Sequence, residues 1–219
     1  MRLLVFDWDG TLIDSTGTIV RTAQIVIAEL GLPERSDRRI REIIGLGLKE
    51  SWESLYPDDG DASFDLFVAS YRRHFFASGQ QQSELYPGIA QMLDQLRESG
   101  YLLAVATGKS RFGLDRDMER TGMASNFDFS RTCDEAKSKP DPLMLHQIMA
   151  SLSIEASQTL MIGDTDYDLQ MATAAGTEAV AALWGAHGRD RLERYKPKAC
   201  FDNLCELPDW LIAYDRLAG

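Results

Sequence analysis

Asp7 and Asp9 stand one residue apart at the end of the apolar run Leu3-Leu4-Val5-Phe6. Side chains two apart on a strand point the same way, so the two carboxylates converge, and each disfavours the other's charge. Other aspartate pairs with this spacing, Asp59/Asp61 and Asp115/Asp117, fall in an apparent turn and on a surface helix. The spacing alone therefore carries little; the position behind a buried strand carries more. A hard divalent cation with oxygen ligands, Mg²⁺ most naturally, would let both carboxylates stay charged. Asp164, at the end of TLMIGD, offers a third oxygen ligand, and Asp168 would share its face if both lay on a helix. Thr107 and the N–H groups around Gly108 end another apolar run, YLLAVAT, where a helix is expected to begin, a setting suited to an anion. Lys139, in SKPDP, adds a point charge. Carboxylates, a metal, an anion-binding turn and a lysine together describe phosphoryl transfer.

These groups come from distant parts of the chain, so the fold must bring them together. Strands are expected at 3–7, 101–107, 127–129, 159–164, 178–183 and near 199–201, alternating with amphipathic helices after the turn YPG at 86–88. That alternation predicts an α/β fold: a doubly wound, mostly parallel, Rossmann-like sheet with helices on both faces. Ligands bind outside the carboxyl ends of such strands, where Asp7, Thr107 and Asp164 fall. Residues 16–83 show only helical patterning, with Ser36 as one helix cap, an acidic turn DDGD and a polar exit SGQQQSE. They read as a small helical domain inserted after the first strand, leaving 1–15 and 84–219 as the core.

The formal net charge is −11. That argues against nonspecific nucleic-acid binding and against docking on anionic membranes, but not against a small phosphorylated metabolite held by local cations and backbone N–H groups. Cys133, Cys200 and Cys205 are odd in number and in no metal-binding spacing. They read as reduced thiols of a cytoplasmic protein. No apolar run reaches the roughly 20 residues that span a bilayer. Oligomeric state is not legible.

FDWDGTL, Thr107 in VATGK, Lys139 in SKP, and Gly163-Asp164 with Asp168 in IGDTDYD match, in order, the four motifs of the haloacid dehalogenase superfamily. LYPG and the late LWG resemble its phosphoglycolate phosphatase-like subgroup. The resemblance implies that Asp7 is the nucleophile, forming an aspartyl-phosphate, and that Asp9 is the general acid and then the base. It implies Mg²⁺ on the Asp7 side chain, the Asp9 backbone carbonyl and Asp164, with Asp168 supporting the site from behind. Thr107, Gly108 and Lys139 would hold phosphate oxygens, and phosphoglycolate is the leading substrate expectation. Gly108 departs from the asparagine of many relatives, and Gly163 from the acid of the sugar phosphomutase branch. Trp8 resembles phosphonoacetaldehyde hydrolases, which form a Schiff base on a cap lysine and carry alanine where this chain has Asp9. A non-catalytic binding protein that keeps the fold is the alternative of a different class. In the insert, GLGLKES reads either as a loop closing over the phosphate or as an interhelical turn. Arg41 and Lys49 are its cations within reach of a substrate carboxylate, unless they are solvated, and Arg111 could also face the site. Hinges are expected near Thr16 and Ser83.

Overall fold

Four consecutive apolar side chains are buried on both faces only inside a sheet, and β1 (Leu3–Phe6) lies there in the computed structural model, which describes residues 1–58, 61–77 and 83–218. The centre of the expected acidic turn and most of SGQQQSE lie outside the described residues. Four helices follow β1: α1 (Thr16–Glu29), α2 (Asp37–Arg41), α3 (Leu48–Leu55) and α4 (Asp61–Ala77). The Ser36 hydroxyl caps α2 by accepting the Arg39 N–H at 3.2 Å, as the sequence predicts. Helix α5 (Ile89–Glu98) leads back to the sheet.

The remaining elements alternate as expected: β2 (Leu102–Thr107), α6 (Arg111–Thr121), β3 (Phe129–Thr132), α7 (Leu143–Leu152), β4 (Thr159–Gly163), α8 (Asp166–Ala175), β5 (Glu178–Ala182), α9 (Arg189–Leu192), β6 (Cys200–Phe201) and α10 (Leu207–Ala218). The sheet runs β3-β2-β1-β4-β5-β6, and every pairing is parallel. Strand β1 is central, with Leu3 opposite Leu102 on one side and Thr159 on the other. Strand order reverses beside β1, which places a crevice at its carboxyl end. Leu4 and Phe6 pack on one face with α5 and α10; Leu3 and Val5 pack on the other with α7 and α8. Both layers are therefore dictated by a period of two along β1.

Strand β3 begins at Phe129, not at Phe127. Phe127 is drawn into the core edge-on to Phe6 and Trp8, with ring centroids 6.5 and 6.0 Å away. The Asp128 carboxylate accepts the Leu103 N–H at 2.9 Å, so the ladder starts one residue later. As an edge strand, β3 tolerates the polar sequence FSRT that hid it.

The helices inserted between β1 and β2 form a cap with its own apolar cluster. That cluster draws on α1 to α4, whereas the apolar side of α5 joins the sheet. The chain's two crossings into and out of the cap lie side by side. Asp14 N–H donates to the Glu84 carbonyl at 2.8 Å, Tyr86 N–H donates to the Leu12 carbonyl at 3.0 Å, and Ile13 bridges Leu85 in antiparallel fashion.

Candidate active site

The Asp7 N–H donates to the Ile162 carbonyl at 2.9 Å, which levels the ends of β1 and β4 and sets Asp7 beside Asp164. Asp7, Asp164 and Asp168 each present a carboxylate oxygen, all within 4.8 Å of one another, and all three residues are buried. Lys139, also buried, places its Nζ 2.7 Å from Asp7 Oδ1 and 2.6 Å from Asp168 Oδ1. The peptide between Lys139 and Pro140 is cis.

The other oxygens of Asp168 and Asp164 are committed. Asp168 Oδ2 accepts the Thr165 N–H at 3.1 Å and the Thr165 hydroxyl at 2.7 Å, the capping box of α8. Asp164 precedes that helix, so the shared helical face expected for Asp164 and Asp168 is replaced by Asp168 folding back over the cap. A Cβ at position 163 would lie 2.3 Å from Asp168 Cγ, which is a local reason for glycine there. Asp164 Oδ1 accepts the Thr11 hydroxyl at 2.8 Å, and its Oδ2 accepts the Ala186 N–H at 2.7 Å.

Burial pushes the Asp7 carboxyl well above its ordinary value, against the pull of Lys139 and with the push of Asp168 and Asp164. Burial, with Asp168 beside it, raises Asp164 to about 6. Burial works to lower Lys139, but Asp168 and Asp7 outweigh it and hold it protonated. Three buried carboxylates thus face a single ammonium. Among the described residues, both Asp7 oxygens and Asp168 Oδ1 also lack a hydrogen-bond partner; Asp7 Oδ1 and Asp168 Oδ1 have their ion-pair contacts to Lys139. A cation with oxygen ligands fits this donor set: it would remove the excess charge and complete the unbonded oxygens.

Asp9 points elsewhere. Its Oδ1 is 3.1 Å from Lys109 Nζ, which also lies 3.2 Å from Asp117 Oδ2. The Trp8 indole N–H donates to the same Asp117 oxygen at 3.2 Å, so Trp8 is a core side chain that steadies this bridge. Burial would lower the Lys109 pKa, but Asp9 and Asp117 raise it. The Thr107 hydroxyl oxygen accepts the Lys109 N–H at 3.1 Å, leaving its proton available. The Gly108 N–H has no hydrogen-bond partner among the described residues. Helix α6 starts only at Arg111, and its N-terminus is already occupied: Ser110 accepts the Gly113 N–H and Asp134 accepts that of Arg111. The anion setting expected of a helix start is therefore confined to Thr107 and Gly108.

The cap loop at 45–47 closes over these residues. Gly47 N–H donates to the Ser138 hydroxyl at 2.8 Å, and the Tyr167 hydroxyl donates to the Glu42 carbonyl at 2.9 Å. A Cβ at position 108 would lie 2.5 Å from the Gly45 carbonyl oxygen and 2.6 Å from that of Leu46. The departure at Gly108 is thus a close approach of cap to core. A cavity of about 360 Å³ runs from Asp7, Asp9, Thr107 and Gly108 into the cap. Lys49 is exposed at its wall, while Arg41 is not among the residues that line it. Arg111 is turned away, held by Glu135 at 2.7 Å and Asp115 at 3.1 Å. Asp166 is likewise occupied, by Arg191 at 2.7 and 2.9 Å.

Thr11, Lys109, Asp117 and Ser138 are the participants that sequence reasoning passed over. Thr11 and Lys109 sit inside the segments FDWDGTL and VATGK, but nothing local shows what they touch. No helix among the described residues is long and apolar enough to cross a membrane.

Residues 4–182 match the model of the family described as haloacid dehalogenase-like hydrolase. The chain is 34% identical over 209 residues to a probable phosphatase, IndB, of Dickeya dadantii, covering 94% of this chain and 91% of that one. It is 28% identical over 215 residues to a phosphoglycolate phosphatase of Vibrio parahaemolyticus, covering 94% of each. Among solved structures, a putative phosphoglycolate phosphatase of Lactobacillus plantarum superposes with a TM-score of 0.83 at 28% identity, covering 95% of this chain and 98% of that one.

Proposed function

The chain belongs to the haloacid dehalogenase-like hydrolases, and on that premise we propose that it is a Mg²⁺-dependent phosphatase of small phosphomonoesters working through an aspartyl-phosphate on Asp7. The observation that carries this reading is the buried group Asp7, Asp164 and Asp168 around Lys139 at the carboxyl ends of β1 and β4.

Asp7 and Asp164, with the backbone carbonyl of Asp9, would hold the ion. When bound, it supplies charge neutralisation for the phosphoryl oxygens and the paired carboxylates. Lys139, anchored by Asp168, fixes the Asp7 carboxylate so that one oxygen is presented along the line of attack. The Thr107 hydroxyl and Gly108 N–H donate to phosphoryl oxygens. An Asp7 oxygen forms the new bond to phosphorus as the ester P–O bond breaks, and Asp9 delivers a proton to the departing alkoxide. Asp9, now ionised, takes a proton from water as that water displaces phosphate from Asp7, returning both carboxylates to their starting state. Lys109, itself held by Asp117, contacts one Asp9 oxygen and leaves the other uncommitted for this proton.

The test is trapping. Borohydride reduces an acyl phosphate to the alcohol, so quenching turnover with borohydride converts Asp7 to homoserine, which peptide mass spectrometry reads. Homoserine at position 7 that depends on substrate and Mg²⁺, together with a loss on the order of 10⁴-fold in kcat for Asp7→Asn, is the expected result. Turnover without any modification at residue 7 would overturn the covalent route.

A further inference from the structure

The lining of the cavity beyond the aspartates is more apolar than a two-carbon acid requires. Its lining in the cap is apolar: Ile19, Leu46, Tyr71 and Phe75 are only partly buried there, beside Ile44, Trp52 and Phe67 of the cap's own apolar cluster. Tyr71 and Phe75 continue the lining toward the core; Phe67, Tyr71 and Phe75 are stacked in series, with Trp52 tilted against Phe67. Ring centroids are 5.3 Å apart for Trp52 and Phe67, 5.9 Å for Phe67 and Tyr71, and 5.5 Å for Tyr71 and Phe75. The stack reaches the reacting groups directly: Lys109 Nζ, 3.1 Å from Asp9, lies 5.0 Å from the Phe75 centroid.

Charge in the lining runs against a second anion. Among the described residues of the lining, Asp7, Asp9, Glu50 and Asp134 face Lys49, Arg72 and Lys109 and no other cation. Lys109 is committed to two carboxylates, and Lys49 and Arg72 are exposed to solvent. A substrate carboxylate carried into this chamber would be desolvated without a buried cation of its own. At about 360 Å³, the chamber is within the range of sites that enclose a whole small molecule rather than a phosphate alone.

We propose that this chamber receives the leaving group, and that the substrates are phosphate monoesters of alcohols carrying an apolar, aromatic body rather than of a small hydroxy acid. This rests on the phosphatase reading above and narrows it to a substrate class. Phe67, Tyr71 and Phe75 stack on one another, so a planar ring would meet them edge-on, with the ester oxygen directed to Asp9.

The experiment compares kcat/KM for ethyl, butyl, hexyl and 2-phenylethyl phosphate with that for 2-phosphoglycolate, using the intact chain with Mg²⁺. The four alcohols leave with similar acidity, so the series reads burial rather than leaving-group ability. The expected result is a rise of about fourfold per methylene, the equivalent of ~0.8 kcal/mol at about 1.4 kcal/mol per decade. The 2-phenylethyl ester should exceed the ethyl ester by at least about 50-fold, and 2-phosphoglycolate should fall at or below ethyl. A flat series, or 2-phosphoglycolate above the 2-phenylethyl ester, overturns the substrate class while leaving the phosphatase chemistry standing. If no ester is hydrolysed, the chemistry fails instead, and calorimetry decides the chamber separately with the phosphonates 3-phenylpropylphosphonate and 3-phosphonopropionate. Tighter binding of the aryl compound by tenfold or more supports the chamber; equal or reversed affinities overturn it.

Discussion

Lys109 joins Asp9 to Asp117 with contacts of 3.1 and 3.2 Å, in a setting where its side chain is 8% exposed. Replacing it with methionine keeps much of its volume and strands two carboxylates. Lys109→Met should lower the unfolding free energy by about 3 kcal/mol in urea titrations, because removing one partner of a buried ion pair leaves the other uncompensated. It should also reduce kcat by about 10²-fold, through misplacement of Asp9 rather than loss of metal. Mg²⁺ affinity measured by calorimetry should therefore stay within about twofold, a readout that general disorder of the site would move. A second residue-scale expectation concerns Cys133. Burial, with Asp134 and Glu50 nearby, pushes its thiol up to about 11. A raised thiol pKa means neutral sulfur at pH 8, so iodoacetamide should label the exposed Cys205 well before Cys133. Labelling of Cys133 should climb only as pH approaches 11, followed by peptide mass spectrometry.

At the scale of elements, the contact between the cap loop and the end of β2 depends on the missing side chain of Gly108. Gly108→Ala would press a methyl against the Gly45 and Leu46 carbonyls, so the loop must lift. The expected outcome is a fall of about 10-fold or more in kcat/KM with thermal stability changed by only a few degrees, since the loop and not the sheet moves. Asparagine at this position should behave worse than alanine. What could be read from the sequence divides along the same line. The strand ends carrying Asp7, Thr107 and Asp164 were legible because short apolar runs and the turns behind them are local signals. The start of β3 was not, because Phe127 is claimed by Phe6 and Trp8 from across the core. The bridge from Lys109 to Asp9 was hidden for the same reason: its partners are 100 residues apart in the chain, and Asp117 looks like any surface carboxylate of a helix. Arg111 shows the converse, since charge near a motif says nothing about which way an arginine turns.

Across the molecule, apolar clusters cover both faces of the sheet and a separate one lies within the cap. Asp7, Asp164 and Asp168 stand at the sheet and most of the apolar cavity lining belongs to the cap, so on the proposed function chemistry and choice of leaving group would be divided between the two. Exchanging residues 16–83 for the helical insert of another family member should keep Mg²⁺-dependent hydrolysis of ethyl phosphate within about tenfold while abolishing the preference for the 2-phenylethyl ester. The ratio of the two kcat/KM values is the measurement, and a chimera that retains the preference would place the selecting residues in the core. The graft is feasible because of how the chain crosses between the two units. Leu12 to Asp14 and Glu84 to Tyr86 are hydrogen-bonded to each other, so the insert leaves and re-enters the core at a single point. In evolutionary terms this makes the cap a cassette: a recombined or duplicated segment can arrive with its own apolar interior, and selection can reshape substrate range without reopening the sheet that holds the aspartates.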